Sequence, residues 1–173
     1  MAKRLVFIIV LGLSINIVGY SGGRDELVRT YRNYIGVREL TGHNDGKEVE
    51  MFLRATGLGE GFAWCAAFVS YCHIENDIAI PQNAPAWSPS WFPQHRLISK
   101  EKALPGDVFG IYYINMRRIG HVGFMDEAWN NDSGNIITVE GNTNGDGSRD
   151  GDGVYRKRRS KKQIKSVSRW IQE

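Results

Sequence analysis

The chain has 173 residues, a formal charge of +3 at pH 7, 42% apolar and 24% charged residues. That is enough chain for one domain with a real core, and the composition is that of a globular protein rather than a disordered one. The charge is uneven: residues 154–173 carry eight basic groups and one acid. With only Tyr155 and Trp170 among them, this basic stretch argues against nucleic-acid binding and reads as a solvated strand and helix face.

Residues 1–21 have the form of an export signal. Lys3 and Arg4 precede an almost unbroken apolar run from Leu5 to Val18, with small residues at Gly19 and Ser21. The run is short for a membrane span of about 20 residues. A cleaved signal and a retained N-terminal anchor are both compatible with it. The expectation is a protein working outside the cytoplasm, periplasmic or extracellular, with residues 22–173 forming a single domain that ends in the basic tail.

Helical spacing then predicts a helix over Asp25–Ile35, a turn over 41–46, a second helix over Glu48–Ala55 and a third over Trp64–Glu75. Pro81, Pro85, Pro89 and Pro93 make the next stretch irregular. Strands follow near Asp107–Tyr113, Gly120–Glu127, Ile136–Glu140 and Val154–Arg158. Helices first and strands after predict an α+β fold with an antiparallel sheet.

Cys65 and Cys72 lie seven residues apart on one predicted helix. At 1.5 Å per residue their Cα atoms stand about 10 Å apart, beyond the reach of a disulfide. Cys72 reads as a small core residue. Cys65 opens the helix, where unpaired N–H groups and the helix dipole favour thiolate over thiol. A base and an orienting carboxylate occur further on, at His121 and Glu140. In a hairpin centred between Asn130 and Asn131, His121 pairs directly with Glu140, and Asn142 shares their face if the strand continues. A one-residue slip would turn Glu140 away. His73 lies about 12 Å along the helix from Cys65, too far to serve it, and His43 and His95 fall in loops. A thiolate nucleophile, an imidazole base and a third group that orients the imidazole are what amide hydrolysis asks for.

Four motifs in series carry a resemblance: Trp64-Cys65-Ala66-Ala67-Phe68-Val69, Pro105-Gly106-Asp107-Val108, Gly120-His121-Val122-Gly123 and Glu140-Gly141-Asn142-Thr143. In this order the chain resembles the CHAP domains, cysteine, histidine-dependent amidohydrolases/peptidases among the papain-like cell-wall hydrolases. The upstream Gly36-Val37-Arg38-Glu39 and Gly42-His43-Asn44-Asp45-Gly46 are similar to the approach segment of its bacterial and phage members. The resemblance implies helices packed on an antiparallel sheet of about six strands and hydrolysis of amide bonds in peptidoglycan. It implies Cys65 as nucleophile, His121 as base, Glu140 as orienting group and Asn142 as the additional polar residue. It leaves open an N-acetylmuramoyl-L-alanine amidase or a peptide endopeptidase.

Trp64, Trp87 and Trp91 are the candidate substrate-contacting aromatics, although the proline-rich stretch is equally suited to cap the core. No cofactor or metal is expected. Leu58–Ala63 lacks the aspartates that some relatives use for calcium. Asp146, Ser148 and Asp150 resemble the start of a calcium loop, but Lys157 stands where its glutamate belongs. The partner is peptidoglycan, with an immunity protein added if the protein is a toxin. The alternative from another class is a catalytically silent wall-binding module.

Overall fold

The structure is a computed structural model that describes residues 22–145 and 151–172. Residues 1–21, read above as an export signal, and Asp146, Ser148 and Asp150 of the glycine-rich loop, lie outside the described residues. Helices α1 (Gly22–Asn33), α2 (Lys47–Arg54) and α3 (Cys65–Ile74) precede strands β1 (Leu97–Ile98), β2 (Val108–Tyr113), β3 (Arg118–Met125), β4 (Asn135–Thr143), β5 (Gly153–Ser160) and β6 (Ile164–Ser168). The strands form one antiparallel sheet in the order β1-β6-β2-β3-β4-β5. The architecture is therefore the expected α+β, with six strands. Among the described residues, no helix is long and apolar enough to cross a membrane.

Each helix is held by what it buries. Leu27, Val28 and Tyr31 of α1 and Val49, Phe52 and Leu53 of α2 turn one stripe inward. In α3 every residue from Cys65 to His73 is buried, as suits a helix apolar on all sides. It packs against both other helices and against β3 and β4. Gly141 makes this approach close: a Cβ there would stand 2.7 Å from the Trp64 ring and 2.9 Å from Phe68.

The period of two along the strands sorts the sheet into two faces. Val108, Val122, Phe124 and Val139 join the helices in the main core, whereas Phe109, Ile111, Met125, Ile136, Ile164 and Val167 form a second cluster. His121 and Glu140 alternate with the first set and so lie on the second face.

The C-terminal basic stretch departs from the expected solvated strand and helix face. It is two strands of the sheet, β5 and β6, joined by one 3-10 turn. Several of its cations are engaged: Arg156 Nε donates to Asp126 at 2.6 Å, Arg169 Nη2 to Asp107 at 2.8 Å, and Arg159 to Glu140. Fixed acids at partner positions draw these side chains in. β1 and β6, neither of which has a long apolar run, are the two strands that no sequence pattern marked.

Candidate active site

Cys65 is the first residue of α3, so its N–H lies outside the i→i−4 ladder. The first turn of α3 contains no acid to offset the helix dipole. The residue before it is tied down on both ends. Trp64 N–H donates to Asn142 Oδ1 at 3.2 Å, and Trp64 Nε1–H donates to Glu39 Oε1 at 2.8 Å. Glu39 Oε2 accepts from Asn44 N–H at 3.0 Å, and Asn142 Nδ2 donates to Asn44 Oδ1 at 3.1 Å and to the Gly151 carbonyl at 3.2 Å. Glu39, Asn44 and Asn142 thus clamp the loop that delivers the cysteine.

Asn142 does this instead of sharing the face of His121. The β4–β5 register slips by one between Glu140 and Thr143, and Asn142 has φ 51°. This is a bulge with a left-handed residue, a conformation asparagine tolerates better than most. It breaks the alternation and sends the side chain toward the start of α3.

His121 and Glu140 do meet. His121 Nε2 stands 2.8 Å from Glu140 Oε2. The pairing differs from the one the turn suggested: Phe124 faces Val139 and Met125 faces Thr138, a register two residues away. Carried on, it sets Glu140 against Gly123. A shift of two keeps the face, so the carboxylate reaches His121 diagonally. Gly123 makes room for it, because a Cβ there would stand 2.9 Å from Glu140 Cγ.

Three further groups complete the cluster. Arg159 of β5, also buried, donates to Glu140 from Nε and Nη2, each at 2.5 Å. Thr138 Oγ1 donates to Glu140 Oε1 at 2.6 Å. Ser88 Oγ lies 3.6 Å from Cys65 Sγ. None was legible beforehand. Arg159 shares a face with Thr138 and Glu140 only once the β4–β5 register (Thr138 opposite Lys157, Glu140 opposite Tyr155) is known.

The electrostatics follow from these contacts. Burial alone would raise the Glu140 carboxyl, but its bonds to His121 and Arg159 outweigh that and hold it at about 2. Burial would lower His121, yet the thiol of Cys65 and the Glu140 carboxylate push it up to about 9. Burial would raise the Cys65 thiol, and the hydrogen bond and charge of His121, helped by Ser88 and the Val122 backbone, bring it below the ordinary thiol range. With Nε2 on Glu140, Nδ1 is the ring nitrogen left for the thiol. The arrangement is a thiolate–imidazolium pair with an oriented ring.

The remaining candidates separate. Trp64 and Trp91 are fully buried, and Trp91 Nε1–H donates to the Pro85 carbonyl; neither offers a surface to substrate. Trp87 is 49% exposed. His73 is buried against Trp91 and Phe124, remote from the cluster, and His43 and His95 are exposed. Cys72 is a free, buried thiol whose pKa is raised well above the ordinary by burial.

Two comparisons with known proteins found similarities. The family model "CHAP domain" matches residues 57–142. Among solved structures, the chain is similar to "Structure of the Resuscitation Promoting Factor Interacting protein RipA mutated at E444", at 15% identity and a TM-score of 0.46. That similarity covers 87% of this chain and 63% of the other, so the chain spans less than two thirds of that structure's length. No curated protein matches.

Proposed function

We propose, for a chain that carries a CHAP domain over residues 57–142, that it is a cysteine hydrolase of peptidoglycan amide bonds. The observation that carries this reading is the His121–Glu140 contact of 2.8 Å on a buried carboxylate, coupled to a thiol at the first position of α3. In the reaction, the Cys65 thiolate attacks the amide carbonyl carbon and the carbonyl electrons move to oxygen. The Cys65 N–H, free of the helix ladder, donates to that oxyanion. His121 Nδ1–H then protonates the amine nitrogen as the C–N bond breaks, leaving a thioester. His121 next takes a proton from water, which attacks the thioester carbon; the thiolate leaves and the pair is restored. Glu140 holds the imidazole ring throughout and stabilises its charged form. Asn142 acts by fixing the loop that presents Cys65.

The bond cleaved is either the muramoyl–alanine amide or a peptide bond of the stem or bridge, and Trp87 is the aromatic at hand to meet it. Residues 1–21 support export to the periplasm or cell surface, where this polymer lies. The test is digestion of purified peptidoglycan by the full-length protein, with the fragments identified by mass spectrometry. New termini at lactyl–alanine or at a peptide bond support the proposal and assign the bond. A folded protein that binds the polymer and releases nothing would favour the silent wall-binding module.

A further inference from the structure

We propose that Arg159 is a positioning residue of this site, the second buried cation that balances Glu140 and so lets Cys65 persist as a thiolate beside a protonated His121. The inference rests on the reading of Cys65 as the nucleophile. In the working state Cys65 and Glu140 are anions, and His121 is a single cation between them. Without a further positive group the cluster has a net charge of −1 and almost no water to screen it. Like charges in such surroundings drive each other to protonate. Here the group that would give way is the thiolate, since Glu140 keeps its bond to the imidazolium.

Arg159 removes the imbalance. Its guanidinium meets both carboxylate oxygens, from Nε at 2.5 Å and from Nη2 at 2.5 Å. It is always charged and cannot pass its proton to Glu140. The two-point contact also fixes the plane of the carboxylate, with Thr138 as the third donor, so Oε2 stays aimed at His121 Nε2. Other titratable or charged groups also stand about this pair. Tyr113 of β2 faces Arg159, and Lys157, next on the same face of β5, is engaged with Thr143 Oγ1 at 3.2 Å and with the Asn144 carbonyl. Among the described residues, Arg159 is the cation that meets Glu140 beside the His121 ring. An arginine on a strand whose neighbours Arg156 and Arg158 are exposed, yet itself buried, bears a desolvation cost that the carboxylate offsets.

The test reads the thiolate without any substrate. In a Cys72→Ala background, the rate of Cys65 alkylation by iodoacetamide is followed against pH, with circular dichroism to check folding. Arg159→Met moves the midpoint up by about one unit or more, roughly a tenfold slower reaction on the acid side. Arg159→Lys, which keeps the charge and loses the fork, shifts it less. Glu140→Gln alone moves the midpoint down, and adding Arg159→Met to it brings the midpoint back up. This second comparison stands even if Arg159→Met alone does not fold. A folded Arg159→Met protein with the parent midpoint, or equal midpoints for Glu140→Gln with and without Arg159→Met, overturns the proposal. A shifted midpoint in a protein that cuts no peptidoglycan would sink the functional reading and leave this one standing.

Discussion

At the scale of single residues, the account depends on a pair of protonation states. Activity requires Cys65 ionised and His121 protonated, so kcat/KM should follow a bell whose limbs belong to the pair. The acid limb lies below the ordinary thiol range, and the alkaline limb lies near 9, where His121 loses its proton. A profile on peptidoglycan that already falls off near 6.5 would contradict this assignment. Glu140→Gln removes the charge that supports the imidazolium and should draw the alkaline limb down, with a loss of roughly 10²–10⁴-fold in kcat/KM. An unchanged profile for Glu140→Gln would remove it from the mechanism.

At the scale of elements, the start of α3 is held by a strand bulge. Asn142 supplies one acceptor and two donors there and sits at φ 51°. Asn142→Ala should destabilise the protein by about 2–4 kcal/mol, combining lost buried hydrogen bonds with left-handed strain. Asn142→Gly should recover about 1 kcal/mol of that, because glycine bears no such strain. Urea unfolding of the three proteins measures both; equal losses for Ala and Gly would mean that the backbone conformation contributes nothing. This element also shows what a sequence can and cannot tell. The helix starting at Cys65 and the strands bearing His121 and Glu140 were readable from apolar periodicity and turn residues. The bulge was not, because a left-handed asparagine leaves the apolar pattern intact. The same holds for the hairpin register. Placing His121 directly across from Glu140 was off by two residues, and only because the error was even did the two still share a face. Arg159 was hidden by company: in a run of eight cations nothing local distinguishes the one whose partner lies on the neighbouring strand.

At the scale of the whole molecule, two buried titratable groups contribute to the acid behaviour in successive windows. His73 Nδ1–H donates to the Val69 carbonyl at 2.9 Å, while Nε2 has no partner among the described residues. Burial holds its pKa at about 4, below the ordinary 6.5. Folding therefore favours the neutral ring. The associated stability is full above 6.5 and is lost as pH falls toward 4, roughly 3 kcal/mol in all. Glu140 is likewise depressed, from 4.5 to about 2, and its share is lost below 4.5. His73→Phe should flatten the fall in Tm between pH 6.5 and 4 and leave the loss below 4.5 that belongs to Glu140. If the variant keeps the parent's slope between 6.5 and 4, His73 is not the group that titrates there.

The whole-molecule reading joins a papain-like expectation, an α+β fold with a six-stranded sheet and a buried cluster of Cys65, His121, Glu140 and Arg159 into one claim: Cys65 breaks peptidoglycan amide bonds. The most direct measurement compares fragment release from purified peptidoglycan by the parent, Cys65→Ala and Cys72→Ala proteins at equal concentration and verified folding. Release by the parent and Cys72→Ala proteins, with none by Cys65→Ala, is the predicted result. Release that survives Cys65→Ala would contradict the account.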